Sequence, residues 1–258
     1  MAPASSSDRF HLFLVLAFAL LPLLMGGTSL NLSLYIEAHA DRRLKRDLIA
    51  CAGGGHPGFL GPTNQPVSVF FYPQPGARDF RYFETDSIEE DPQDLGRFHP
   101  VTMKHVPLFG GFLRRFATPN REREVWVRMT YLAGRELHMS GPIRLRIRSQ
   151  PTRFAPAIVQ ITGPHPLFVW NDEGFAESAI YFQVISDGKG QVVSATYTHE
   201  KRFQFYDTSN VVINLRDVRP PPQLERGRTY TLTLMGVGRD NWVNWIARRS
   251  FSLSQMGP

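Results

Sequence analysis

The chain has 258 residues, a formal charge of +6, 42% hydrophobic and 20% charged residues, and a single Cys. Those proportions exclude wholesale disorder, and one Cys excludes an intrachain disulfide, so the fold must be held by its core. The roughly 215 residues that follow an apolar leader suit one large β domain or two of about 100 residues each.

From Phe10 to Ile36 there is no charged residue apart from a possible charge on His11, and Leu12 to Met25 is unbroken apolar sequence with a single Pro22. Three readings fit this leader. It is a secretory signal cleaved after Ala38-His39-Ala40, or an uncleaved anchor with the body outside the inner membrane. Alternatively, the basic run Arg42-Arg43-Leu44-Lys45-Arg46 holds the C-terminal side in the cytoplasm, as the positive-inside rule requires.

Asp41 to Ala50 reads as a short amphipathic helix that ends at Gly53-Gly54-Gly55. Leu48-Ile49-Ala50-Cys51 resembles a lipobox, in which the Cys is acylated. A lipobox needs an apolar stretch directly before it, and here the basic run intervenes. Residues 53–66 read as a Gly/Pro linker, which makes 41–63 a basic helix and linker between the leader and the body.

Strand-like runs then follow. Val67 to Tyr72 is β-branched and aromatic, Phe80 to Phe83 alternates in part, Val125 to Tyr131 has apolar period two, and Ile143 to Arg148 alternates strictly between apolar residues and Arg. Ser149-Gln150-Pro151 is a junction. Beyond it, Ile158–Ile161, Phe168–Trp170, Ile180–Ile185, Gln191–Tyr197, Val211–Leu215, Tyr230–Leu234 and Phe251–Leu253 read as strands, separated by turn signals such as Ser186-Asp187-Gly188 and Arg226-Gly227. Seven short strands in about 100 residues is the count of an immunoglobulin-like sandwich. The fold class is therefore all-β, with two tandem sandwiches at 64–149 and 153–254 after an N-terminal hydrophobic helix within 1–40.

The second series resembles a fibronectin type III domain in its bacterial form. The residues that carry the resemblance are Trp170 in an early strand, Tyr181-Phe182-Gln183-Val184, and Leu224-Glu225-Arg226-Gly227-Arg228-Thr229-Tyr230-Thr231-Leu232. It implies that Tyr230 packs its ring in the core and hydrogen-bonds nearby backbone, as a tyrosine corner does. Gly236 to Arg249 departs from the pattern as a longer, more aromatic loop. Residues 64–149 look like a weaker copy whose middle, Asp86 to Phe116, does not match.

Few residues offer chemistry. Glu84, Asp86, Glu89, Glu90, Asp91 and Asp94 form an acidic stretch broken by Pro92, which reads as a solvated loop rather than a calcium site. The eight His lack zinc-ligand spacing, and no metal or other cofactor is expected. No Gly-x-Ser-x-Gly elbow or P-loop occurs. Gly236-Val237-Gly238 leads towards another strand, so it reads as a hairpin loop. Cys51 sits beside the glycines, with no scaffold to orient a base towards it.

The loop Arg239, Asp240, Asn241, Trp242, Val243, Asn244, Trp245 is the one candidate binding site. Its two Trp with Asn, Asp and Arg offer stacking faces and hydrogen bonds to a sugar or peptide. Alternatively, the Trp rings fold back onto the core. The sequence thus points to a non-enzymatic cell-envelope protein, periplasmic or anchored in the inner membrane facing the periplasm. Its sandwiches would bind or space another envelope or membrane protein. The alternatives are a glycan-binding module that uses Trp242 and Trp245, and an enzyme with an unrecognised site. The basic, Arg-rich balance would also suit an acidic glycan or anionic lipid; nucleic acid is not an expected partner.

Overall fold

The computed structural model describes residues 30–54, 67–118, 123–146, 149–154, 165–172, 177–205, 207–216 and 223–253. The first element is a short helix, α1 (Leu32–Glu37). Strands follow as β1 (Arg43–Leu48), β2 (Ala50–Gly54), β3 (Val67–Phe71), β4 (Arg78–Glu84), β5 (His99–Pro100), β6 (His105–Leu108), β7 (Leu113–Thr118), β8 (Trp126–Ala133), β9 (Glu136–Ser140) and β10 (Ile143–Arg144). The second half holds β11 (Arg153–Phe154), β12 (Leu167–Val169), β13 (Ser178–Asp187), β14 (Val192–Thr198), β15 (Arg202–Gln204), β16 (Val211–Asn214), β17 (Thr229–Gly238) and β18 (Val243–Ser252). The body is mostly β, as the period-two runs require.

These strands form four sheets. A front sheet runs β1-β9-β8-β4-β5, with β10 also on β8; a middle sheet runs β2-β3-β7-β6; a back sheet runs β11-β18-β17-β13-β14-β16; and β12 pairs with β15. The middle sheet is covered on both faces. Ala52, Val67, Val69, Phe71 and Phe116 pack against Tyr82, Val127, Met129 and Tyr131 of the front sheet. Cys51, Phe70 and Leu113 pack the other way, against Phe182, Val184, Met235, Val237 and Ile246 of the back sheet. All five residues of β3 are buried, Ser68 included, which suits the β-branched and aromatic run Val67 to Tyr72, with large apolar side chains on both faces. The far face of the back sheet carries Tyr181, Ile185, Leu232 and Leu234 against Phe168 and Phe203 of the two-stranded sheet.

Residues 41–54 correct the sequence reading. They form no basic helix and, as far as Gly54, no linker. β1 pairs in parallel with β9, and β2 pairs along its whole length with β3. Ten residues gain too little from helical propensity alone to resist such pairing. Gly53 and Gly54 are buried in the middle sheet, and Cys51, 6% exposed, lies inside the core rather than outside the β body. An acylated Cys51 is incompatible with that packing. Residues 55–66 and the expected strand Ile158–Ile161 lie outside the described residues, as does the leader up to residue 29.

The Ala38–Ala40 cleavage reading also meets a difficulty, because α1 belongs to the folded body. Leu32 and Tyr35 are buried against Phe83, Phe98, Leu132, Leu137 and Met139. The Leu32 N–H donates to Phe98 O at 2.9 Å, and the Tyr35 hydroxyl donates to Asp79 Oδ2 at 3.0 Å. Asn31 caps the helix, its Oδ1 accepting from the Leu34 N–H.

Two further differences concern strand length. Of the alternating run Ile143 to Arg148 the structure describes residues 143–146, of which Ile143–Arg144 is strand, and Ile143 and Leu145 are both buried. The long aromatic loop expected at Gly236 to Arg249 is mostly strand, since β17 continues to Gly238 and β18 begins at Val243. Tyr230 makes the contact expected of it: its ring is buried, and its hydroxyl accepts from the Glu225 N–H at 2.9 Å.

Candidate functional site

The Arg239–Trp242 turn joins β17 and β18, two of the three ten-residue strands of the back sheet. Asn241 has φ 61°, a left-handed conformation that Asn tolerates better than most residues. The turn closes through Asn241 N–H to Gly238 O at 3.0 Å and Gly238 N–H to Trp242 O at 2.8 Å.

Several other polar groups of the turn bond to strand β2 and to the 142–152 connection. The Ala52 N–H donates to Asn241 O at 2.9 Å, and the Arg144 N–H to Asp240 O at 3.0 Å. Asn241 Nδ2 donates to Pro142 O, and the indole Nε1 of Trp242 to Gln150 O at 2.8 Å. Thr152 adds a bridge: its hydroxyl donates to Val243 O and accepts from the Gly54 N–H, while its own N–H donates to Gly54 O. Strand β2, the 142–152 connection and the β17–β18 hairpin are thus cinched at one place.

A charged cluster flanks this clasp. The Arg146 guanidinium is ion-paired with Asp240, and also donates to Glu177 Oε2 at 2.6 Å and Gln150 Oε1 at 2.8 Å. Burial works against its charge, but the carboxylates of Glu177 and Asp240 outweigh that and raise its pKa.

Register decides where the two Trp point. Between Gly236↔Trp245 and Val237↔Val243 the β17–β18 ladder slips by one residue, which leaves Asn244 as the extra residue of a bulge. The bulge resets the alternation. Val243 and Ile246 both face the middle sheet, whereas Trp245 and Ala247 face the opposite core. Trp242 enters the front core. Gly236 makes room for Trp245: a Cβ there would stand 2.2 Å from the indole Nε1 and 2.5 Å from Ser178 Oγ. Asn244 is fully buried; its Nδ2 reaches Ser178 Oγ only at 3.5 Å, and its Oδ1 has no hydrogen-bond partner.

The structure therefore brings Asp240, Asn241, Trp242, Asn244 and Trp245 together, but facing inward. Both indoles are 0% exposed and present no stacking face to a sugar or peptide, which corrects the ligand-binding reading of this loop. Only Arg239 of the set is exposed. Sequence reasoning missed the partners Gly54, Arg146, Gln150 and Thr152, which lie some 90 or more positions away in the case of Gln150 and carry no local signal.

The other candidates are placed as follows. In the acidic stretch, Asp91 Oδ1 accepts from the Gln93 N–H and Asp94 Oδ1 from the Gly96 N–H, and Arg97 pairs with Asp94 and Glu90. Among the described residues no three His, Cys, Asp or Glu side chains are grouped to hold a metal ion. His138 is buried, with Nδ1 2.7 Å from Asp47 Oδ1 and its ring stacked on Tyr131 at 4.7 Å. Its Nε2 lies 3.5 Å from Glu136 Oε2, so the ring sits between two carboxylates. Burial pushes the Cys51 thiol up to about 12, which makes it a poor nucleophile.

No protein-family model matches the chain, and no curated protein matches it in sequence.

Proposed function

We propose that the chain is a non-enzymatic cell-envelope protein, anchored by its leader, whose stacked sheets form a stiff platform that binds or spaces a protein partner. In this reading residues 30–258 lie on the outer side of the inner membrane, and the second half is a fibronectin-like sandwich. The Tyr230–Glu225 contact supports that likeness.

One observation carries the partner reading. The side chains best suited to grip a small ligand are spent on the internal clasp, while large exposed apolar residues sit on sheet-edge strands. Val106 on β6 is 38% exposed and Val212 on β16 is 49% exposed, and both strands end their sheets. Val169 on β12 is 36% exposed in the two-stranded sheet. Edge strands with exposed apolar side chains are docking sites for another chain.

Photo-reactive residues introduced at Val106, Val169 and Val212 in cells test this. A discrete protein adduct at one of the three supports the platform role; none at any of them, with the protein folded and abundant, rejects it. A phosphatase fusion after Pro258, active only outside the cytoplasm, tests the location separately.

A further inference from the structure

We infer that α1 and the residues just before it rest on a lipid bilayer, with Leu30 and Leu34 as the contact, and that the leader is retained in the mature protein. This rests on the anchor reading of the leader.

Three observations lead there. First, α1 cannot be removed without damage. Leu32 is 0% and Tyr35 5% exposed, and both fill the core beneath the front sheet. Cleavage after Ala40 would strip these side chains away and uncover Phe83 and Phe98.

Second, the chain leaves little slack. The 21 residues from Phe10 to Leu30 contain no Asp, Glu, Lys or Arg. At about 1.5 Å per residue, a helix of that length reaches roughly 32 Å, against a hydrocarbon thickness of about 30 Å. If only Leu12 to Met25 is embedded, Gly26 to Ser29 remain as a tether, and four extended residues span at most about 14 Å. In both cases the folded body starts in or beside the headgroup layer.

Third, the surface at that point is apolar. Of the six large hydrophobic side chains exposed among the described residues, two lie here: Leu30 at 45% and Leu34 at 40%. The exposed charges that follow in the chain are of both signs, Glu37, Asp41 and Asp47 with Arg43 and Arg46. The contact is therefore apolar, and neither anionic lipid nor low salt should be needed for it.

The test uses the full chain reconstituted into phosphatidylcholine vesicles. A fluorophore is attached to Leu34→Cys, with Val212→Cys on β16 of the back sheet as the comparison; the buried Cys51 stays unlabelled. Lipids carrying a quencher near the headgroup should extinguish the Leu34 probe, in low and high salt alike, and leave the Val212 probe bright. Carbonate extraction and the mass of the mature chain are read alongside. An integrated protein whose Leu34 probe is not quenched overturns the contact but leaves the anchor. A mature chain that starts at Asp41 overturns the retained leader. Release of the protein by carbonate overturns the anchor reading and this inference together.

Discussion

Trp242 and Trp245 are three residues apart in sequence, yet they are buried in two different cores. Trp242 packs with Val69, Met129 and Ile143, and Trp245 packs with Trp170, Leu232 and Phe251. The bulge at Asn244 is what separates them, because without it Trp245 would share a face with Val243. The hairpin therefore pins one half of the chain to the other.

Truncating either indole should be costly, and differently so. Loss of a fully buried Trp costs about 3–5 kcal/mol. Trp245→Ala should destabilise the back sheet and its small partner sheet. Trp242→Ala should destabilise the front half and also lose the bond to Gln150. Denaturant melts of the detergent-solubilised chain measure both.

Gly236→Ala should destabilise the protein by an amount comparable to an overpacked core, about 1–3 kcal/mol. Its added methyl group would fall on the Trp245 ring and Ser178 Oγ. By contrast, Gly134→Ala adds a methyl group with nothing within 4 Å and meets only the strain of φ +55°. Comparing the two melting midpoints separates close packing from backbone strain.

Much of the fold is legible in the sequence, but the clasp is not. Apolar alternation locates β8 and in part β4, β-branched and aromatic composition locates β3, and short apolar runs between turn signals locate β13, β14 and β17, because a half-buried or buried strand leaves a local apolar pattern. Tyr230 is legible through the fibronectin-like pattern Leu224 to Leu232, which holds both the Tyr and its hydroxyl partner, Glu225, within one local segment. Residues 43–54 mislead because Arg43, Lys45 and Arg46 mimic a helix face, and only pairing with β9 and β3 makes them strand. The Trp loop misleads because its partners lie in the distant segments 52–54 and 142–152. A polar, aromatic cluster that grips another part of the same chain has the composition of one that grips a ligand.

Tyr230→Phe should destabilise the back half by about 1 kcal/mol, as expected for one lost intramolecular hydrogen bond. The ring stays buried against Phe251 in the variant, so the loss reports the bond to the Glu225 N–H alone. A shift in the denaturant midpoint with unchanged slope is the expected result.

Stability should fall in alkali. The Cys51 thiol is pushed up to about 12 by burial, and Tyr35 and Tyr131 are also raised to about 12. An unfolded thiol releases its proton near pH 8.5 and an unfolded Tyr near pH 10, whereas the folded groups hold theirs longer. Their stabilising contribution is therefore complete below the unfolded values and is lost as pH rises towards about 12. Cys51→Ala should reduce the slope of that loss between roughly pH 8.5 and 12, as read from melting temperature against pH. The thiol should also resist alkylation until the protein unfolds.

The most direct test of the clasp is calorimetric unfolding of the full chain beside Trp242→Ala. If the turn at Arg239–Trp242 joins the two halves, the native protein melts in one cooperative transition and the variant in two, with the front half melting first. Two transitions in the native protein, or a single unshifted transition in the variant, would contradict the account.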